Sequence, residues 1–390
     1  MSKNKRKICI VVNSRANYGR IKSVLKAVNE HPNLELQLIL GASAILERYG
    51  NIENIVKKDG FKPIANINNV IDGDTPSTMA KSTGLGILEL SSILEIIKPD
   101  IALTVADRYE TIATAIAASY MNIVVAHTQG GEITGSIDEN VRHAVTKLSH
   151  IHLVATDRAK QFLVKMGEND RSIYLTGCPA IDLLKDIEKA SLKDSLCKYK
   201  GVGSKISIEK PYAIVMQHPV TTEYKNAASQ ISETIKAVND VSENGMQIIW
   251  LWPNVDAGSD IVAKTIRIYI NNNNPQNISF YKNFSPEDYA VILNNSKCII
   301  GNSSSGLREG AYLGVPCVNI GSRQRGRERA KNVIDVDYNS DLIKDAIKYQ
   351  VAHGKYDRSH LVGDGKAGLK IAKILAKADL NINKTINYIK

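Results

Sequence analysis

The stretch from Lys297 to Lys331, KCIIGNSSSGLREGAYLGVPCVNIGSRQRGRERAK, decides how the rest of the chain is read. Cys298 to Ile300 have the apolar character of a short buried strand, and Gly301 opens a turn into Asn302, Ser303, Ser304 and Ser305. The pattern predicts a helix over Leu307 to Leu313 and a strand over Val315 to Ile320, followed by Arg323, Arg325, Arg327 and Arg329. Strand, turn, helix and strand in that order is the unit of a parallel sheet covered by helices. The first-turn N–H groups of such a helix have no intrahelical partners, and with the positive end of its dipole they favour an anion. The stretch therefore predicts a site for a phosphorylated ligand. A helix cap followed by a solvated basic loop is the alternative reading of the same residues.

The same alternation extends outward in both directions. Strands are predicted at 8–12, 34–40, 62–66, 100–105, 123–127, 151–155 and 171–175, with helix-length segments between nearly all of them. The stretch from Ile187 to Lys210, rich in Lys, Ser and Gly and ending at Pro211, interrupts the pattern. Strands resume at 212–217, 246–251, 277–280, 297–300, 315–320 and 333–336. The expected fold class is α/β: two doubly wound, Rossmann-like domains over 1–187 and 211–390, joined by a linker over 188–210. A last helix near Lys366 to Leu380 can pack on either domain, and 72–84, DGDTPSTMAKSTG, reads as a polar loop. The length of 390 residues suits two domains of about 150 to 200 residues each.

Composition narrows the class of function. Hydrophobic residues at 43% and charged residues at 23% describe a folded globular chain rather than a disordered one. The net charge of +10 calls for an acidic partner. Aromatics are only 6% and none is interleaved with the arginines, so a base-stacking nucleic-acid surface is not indicated and a phosphorylated small molecule is. Five scattered cysteines (Cys9, Cys178, Cys197, Cys298 and Cys317) lie mostly in apolar runs without metal-ligand spacing, which predicts reduced, buried thiols in a cytoplasmic protein. The apolar run ICIVV behind the basic MSKNKRK is too short for a signal-peptide core. The weakly polar run Ala113 to Ala126 falls short of the roughly 20 residues a membrane span needs, so no membrane segment is expected.

In parallel sheets ligands sit beyond the carboxyl ends of the strands, and here those ends are polar. The first strand leads into Asn13, Ser14, Arg15, Ala16, Asn17, and strand 100–105 into Asp107, Arg108, Tyr109 and Glu110. Strand 123–127 ends at His127 and continues into Gln129, Gly130, Gly131 and Glu132. The next helix opens with a capping-box spacing from Ser136 to Glu139 and carries Asp138 in its first turn. Its apolar positions Val141, Val145 and Leu148 predict a core face that leaves Glu139, Arg142 and His143 on the other side. In the second half Gln217, His218 and Pro219 follow one strand, and Asn254 to Ser259 follow the next. Each cluster alone has a local explanation, such as an Asp107–Arg108 ion pair, a loop histidine at His218 or a helix cap near Ser259. Six such clusters at carboxyl strand ends point to a site.

The carboxylates concentrate in the first half and the Ser and Arg groups in the second, as if one domain held a phosphorylated carrier and the other presented acids and bases to its cargo. Arg323 can make paired bonds to phosphate or to Glu309, and Ser303 and Ser304 can donate to phosphate oxygens. No GxxxxGK[ST] loop and no GxGxxG after the first strand occur, so neither triphosphate hydrolysis nor NAD is expected. No spacing calls for a metal, and no cofactor is expected.

The segments ADRYE, HTQGGEITGSIDENVRHAVTKLSHIH, QHPVTTEY, PNVDAGSD, GNSSSGLREGAYLGVPCVNIGSRQRGRE and YDRSHLVGDG together resemble the hydrolysing UDP-N-acetylglucosamine 2-epimerases, a family that includes bacterial sialic-acid enzymes and the epimerase half of a bifunctional animal enzyme. The resemblance runs in order over nearly the whole chain. It implies a glycosyltransferase-B-like fold, a UDP-sugar substrate, release of UDP with inversion at C2, free N-acetylmannosamine as the usual product, and a homo-oligomer, dimer or tetramer. It also implies roles: Asp107 and Asp138 match catalytic carboxylates, and His218 a histidine on the nucleotide side. Arg15, Arg108, Asn254, Ser303, Ser304, Glu309 and Arg323 match nucleotide-contacting positions. A glycosyltransferase of the same fold is the competing activity.

Three positions depart from the family pattern. Gln129 stands where many relatives carry a catalytic Glu, and an amide cannot exchange a proton as a carboxylate does. Glu132 or Asp138 then carries that step, with Gln129 orienting sugar or water. Asn17 and Ala106 replace residues of the GSRAEYG and GDRYE patterns on the sugar side. These changes make a 2,4-diacetamido-trideoxy sugar the competitor of N-acetylglucosamine as the sugar bound.

Overall fold

The computed structural model describes residues 5–47, 51–73, 75–105, 107–185, 187–253 and 256–387. Strands β1 (Arg6–Val12), β2 (Leu34–Gly41), β3 (Pro63–Ile67), β4 (Ile101–Val105), β5 (Val124–Thr128), β6 (Ile151–Val154) and β7 (Ile173–Leu175) form one sheet in the order 3-2-1-4-5-6-7. All neighbours in it are parallel. Helices α1 (Arg15–Glu30), α2 (Glu53–Lys58), α3 (Pro76–Ile97), α4 (Tyr109–Tyr120), α5 (Asp138–Leu148) and α6 (Asp157–Lys165) connect these strands. A helix α7 (Leu192–Cys197) precedes a second sheet of β8 (Val202–Gly203), β9 (Tyr212–Met216), β10 (Gln247–Leu251), β11 (Ile278–Tyr281), β12 (Ile299–Gly301), β13 (Cys317–Ile320) and β14 (Val333–Val336). Its order is 14-13-12-9-10-11-8, parallel except where β8 pairs antiparallel with β11. The helices of this half are α8 (Ala227–Glu243), α9 (Ser259–Asn273), α10 (Pro286–Asn295), α11 (Ser304–Leu307), α12 (Glu309–Leu313) and α13 (Ser340–His353), and α14 (Ala367–Lys377) comes last.

The chain divides into two compact units. One holds the chain up to Glu132, Ile137–Asp182 and everything from Val362 onward; the other holds Ile133–Ser136 and Leu183–Leu361. The continuous apolar strands explain the layering, because alternate side chains of a strand point to opposite faces and both faces here are covered. Along β1, Ile8, Ile10 and Val12 join the core made by Tyr18, Ile21 and Leu25 of α1 with Ile371 and Leu375 of α14. Cys9 and Val11 join the opposite core with Leu90 and Leu94 of α3. The last helix is thus part of the first unit's core. The cysteines are free thiols, buried except for Cys197. Among the described residues no helix is long and apolar enough to cross a membrane.

Two segments differ from the sequence expectation. Residues 76–84 belong to α3 rather than to a polar loop, because Thr75 and Thr78 exchange side-chain to backbone hydrogen bonds as a capping box and Pro76 fits the first helical turn. The stretch 187–210 is not featureless: it carries α7 and the edge strand β8, and it lies within the second unit.

Candidate functional site

A doubly wound sheet opens a crevice where its strand order reverses. In the first sheet that point lies between β1 and β4, and in the second between β9 and β12. Ser14, Arg15, Asp107 and Arg108 follow the first pair, and His218, Ser303 and Ser304 follow the second.

In the first unit, Ser14 caps α1 by accepting the Asn17 N–H at 3.1 Å, and Arg15 is half-buried. Arg108 pairs with Glu110, its Nε 3.2 Å from Oε2, whereas Asp107 accepts from Arg142.

Arg142 corrects the sequence reading most. Helical spacing places it opposite the core, yet it is 0% exposed and lies on the buried side of α5 with Val145 and Thr146. Its guanidinium bonds Asp107 and also donates to the Glu132 carbonyl at 2.7 Å. Burial works against its charge, but Asp107, Glu132 and Asp138 outweigh that and raise its pKa above the ordinary value. One carboxylate thus bonds this buried cation, and two more favour its charge through space. The helix bearing two members of this group begins at Asp138, and its N-cap is Ile137 rather than Ser136. Asp138 and Glu139 occupy its first turn, where the helix dipole favours negative charge.

Gly131 makes the turn before Glu132 feasible: its φ is +77°, and a Cβ there would lie 2.3 Å from the Ala159 carbonyl oxygen. Gln129 does not join the carboxylates through any bond seen here. It is buried with φ +63°, its N–H donates to the Leu153 carbonyl at 3.0 Å, and its Nε2 donates to Cys178 Sγ at 3.2 Å. Its Oε1 and the Oδ1 of Asn17 are both buried without a hydrogen-bond partner among the described residues. Two buried amide oxygens of the first unit are therefore unsatisfied acceptors among the described residues.

In the second unit, Gly301 closes the gap between β12 and β9. Its φ is +125°, and a Cβ would fall 2.3 Å from the Met216 carbonyl oxygen. The next residue, Asn302, is fully buried and locks the two strand ends: its Oδ1 accepts from the His218 N–H and its Nδ2 donates to the His218 carbonyl, both at 2.8 Å. The Asn302 carbonyl accepts from Gln324 Nε2 at 2.9 Å and from Arg323 at 3.3 Å. Arg323 is thus held at the strand end by Asn302. Arg329 bonds Asp335 and Arg327 is buried, so the arginine run is not simply a solvated loop.

The helix expected over Leu307 to Leu313 starts earlier and is broken. Ser303 caps α11 by accepting from the Ser305 N–H at 3.3 Å, and Arg308, at φ −109° and ψ −79°, separates α11 from α12, which Glu309 opens. Helices of four and five residues have little macrodipole, so anion binding here falls to individual N–H and hydroxyl groups. Ser304 is buried, and Ser305 Oγ is 2.7 Å from the Tyr289 hydroxyl. Asn254 and Ala106 lie outside the described residues.

The first cluster has the makings of proton transfer, and the second of oxyanion recognition. Sequence reasoning missed Arg142, Asn302 and Gln324 as site residues. For Arg142 a signal exists: it follows Asp138 by four residues, which places the two on one face of α5.

A profile of the family described as UDP-N-acetylglucosamine 2-epimerase matches residues 26–376. The UDP-N,N'-diacetylbacillosamine 2-epimerase (hydrolyzing) of Legionella pneumophila is 35% identical over 386 residues, covering 98% of this chain and 100% of its own length. The UDP-N-acetylglucosamine 2-epimerase of Neisseria meningitidis is 32% identical over 363 residues, covering 93% of this chain and 91% of its own. The solved structure of Methanocaldococcus jannaschii UDP-GlcNAc 2-epimerase in complex with UDP-GlcNAc and UDP superposes with a TM-score of 0.77 at 18% identity, over 95% of this chain and 99% of that one. The fold is accordingly glycosyltransferase-B-like.

Proposed function

The chain belongs to the UDP-N-acetylglucosamine 2-epimerase family, and from that premise we propose that it is a hydrolysing epimerase, which converts a UDP-2-acetamido sugar and water into UDP and the free sugar inverted at C2. A base takes the proton from C2 as the C1–O bond to UDP breaks, leaving a glycal. Water then adds its oxygen to C1 while a proton returns to C2 from the opposite face. Two acid/base groups are needed, and it is the gathering of Asp107, Glu132 and Asp138 about Arg142 that supports this chemistry most directly. Asp107 and Asp138 are the proposed proton carriers, with Glu132 as the third carboxylate and Gln129 as an orienting amide. Arg15, Arg108, His218, Asn254, Ser303, Ser304, Glu309 and Arg323 are proposed to hold the nucleotide.

For the sugar, we favour the 2,4-diacetamido-trideoxy type. The Legionella relative, named for UDP-N,N'-diacetylbacillosamine, matches from end to end, and Asn17 and Gln129 offer buried acceptors that an additional amide N–H would satisfy. UDP-N-acetylglucosamine is the second candidate, on the strength of the Neisseria relative. Incubating the protein with each UDP sugar and no acceptor, and following UDP and free sugar by NMR in deuterated water, tests both. Free C2-inverted sugar carrying deuterium at C2 is the expected result. UDP release only with an added acceptor sugar would instead identify a transferase.

A further inference from the structure

The chain returns to the first unit at its end and is tied down there by polar groups. At the start of α14 the Asp182 carboxylate accepts the N–H groups of Ala367 and Gly368 at 2.9 and 2.7 Å. At its end Arg6 donates to the carbonyls of Leu375 and Ala378. The residues beyond α14 then meet α5. Lys384 is 2.8 Å from the Thr146 carbonyl, 3.0 Å from Lys147 and 2.6 Å from Ser149, and its Nζ also lies 2.6 Å from Glu168 Oε2. These carbonyls end α5, where a helix leaves its last acceptors without intrahelical donors and where a cation is favoured by the dipole.

The carboxylate that anchors Lys384 is itself firmly held. Glu168 is buried and receives His152 Nε2 and Lys147 Nζ, each at 2.9 Å. His150 meets the Ile382 carbonyl at 3.1 Å, and the Asn387 N–H donates to Gly167 at 2.9 Å, so the tail is fixed on both sides of Lys384. The helix being capped is the one that presents Asp138 in its first turn and Arg142 one turn later. The capped turn also reaches the strand after which Gln129 lies, since Thr146 Oγ1 is 3.3 Å from His127 Nδ1.

We propose that Lys384 is a positioning residue for the reaction: its ammonium, delivered from the far end of the chain, caps the carboxyl end of α5 and fixes the helix so that Arg142 holds Asp107 and the Glu132 turn in register. This rests on the function proposed above. Lys384 touches no reacting atom; it acts through α5. The cap is supplied by charge and by compact geometry, since a single ammonium serves several converging carbonyls, which a neutral isostere cannot do.

The test compares wild type with Lys384→Met and Lys384→Arg on the full chain, reading kcat, KM, UDP affinity by calorimetry and hydrogen exchange along α5. Lys384→Met should speed exchange of the α5 amides and lower kcat by about ten- to a hundredfold, because small displacements of catalytic groups carry penalties of that order. KM and UDP affinity should stay within about twofold, since the interaction lost is one of orientation rather than of binding. Lys384→Arg, which keeps the charge, should recover part of kcat. Should Lys384→Met fail to fold, Lys384→Gln retains an amide donor and must show the same order of effects. Wild-type kcat in the neutral variant, or a loss of kcat matched by an equal loss of folded protein and UDP binding, overturns the proposal. If wild type itself turns over neither UDP sugar, the proposed function fails, and the exchange of α5 still decides whether Lys384 caps it.

Discussion

Replacing Arg142 by Leu removes the buried cation that Asp107 bonds and on which Glu132 and Asp138 act through space. The side chain is fully buried, Asp107 is 8% exposed, and the Glu132 carbonyl loses its 2.7 Å donor in the same change. Breaking a buried ion pair by deleting one partner costs about 3 to 5 kcal/mol, and an orphaned carbonyl adds about 1 kcal/mol. Against a total stability of about 5 to 15 kcal/mol this is a large loss. At about 2 to 4 °C per kcal/mol for a unit of this size, the first unit's melting temperature should fall by about 8 to 24 °C. Scanning calorimetry on Arg142→Leu measures it directly. Asp107→Leu with Arg142→Leu should be less destabilised than the sum of the two single changes, because the double change removes the bonded carboxylate together with its cation. Arg142→Lys should fold better but turn over slowly, since one ammonium cannot reproduce the fork that bonds Asp107 and Glu132 together. An Arg142→Leu protein that melts within about 2 °C of wild type, well under the shift expected for a broken buried pair, and works normally would refute the central place given to this cluster.

Asp107→Asn and Asp138→Asn should each lose about 100- to 10,000-fold in turnover while UDP affinity is kept; normal turnover in both would remove them from the proton transfers. Gln129→Glu should destabilise the first unit by about 1 to 3 kcal/mol near neutrality, because a buried carboxylate replaces the donor to Cys178. Burial raises the pKa of the introduced acid, so the deficit should shrink on acidification, and a pH-independent deficit in thermal melts would contradict the burial. Arg323→Ala, and Ser303→Ala combined with Ser304→Ala, should weaken UDP binding by about ten- to a hundredfold in calorimetry without unfolding; unchanged affinity in both places the nucleotide elsewhere. In acid, burial pushes the Glu168 carboxyl up, but bonds from His152, Lys384 and Lys147 outweigh it and hold it at about 2 against 4.5 when free. Burial holds His152 below its ordinary 6.5. Both groups bind fewer protons folded than unfolded, so stability should fall as pH drops through 6.5 and again from 4.5 toward 2, the second step amounting to about 3 kcal/mol. A melting temperature unchanged between pH 7 and 4 contradicts this, and Glu168→Gln should flatten the lower step.

The two sheets were legible because a strand covered on both faces is a short apolar run bounded by turn residues. The run from Val333 to Val336 coincides with β14, and most other strands agree within one or two residues. Composition misled at 72–84, where Thr, Ser and Gly suggest a loop although Thr75, Pro76 and Thr78 make a helix start. It also misled at Arg308, where backbone geometry breaks the expected helix although the residue itself is a good helix former. The site was partly legible, because polar residues at carboxyl strand ends are visible in one dimension. Periodicity could not place Arg142, since it assigns charged residues to solvent and has no means of counting partners arriving from β4, the turn after β5 and α5 itself. Lys384 is less visible still: its partners lie more than 200 residues away in sequence.

The same counting of partners bears on Gln129. In the first unit cations face the buried carboxylates, Arg142 bonding Asp107, and Lys147 and Lys384 bonding Glu168. At Gln129 the bonded side-chain neighbour is the Cys178 thiol, which offers no positive charge. A neutral amide fits that place better than an ionised acid does. A chain with an amide there needs its proton carriers where the cation is, among Asp107, Glu132 and Asp138. The amide at Gln129 and the burial of Arg142 are then two sides of one arrangement, in which the proposed acid–base work is confined to the end of α5 opposite the Lys384 cap.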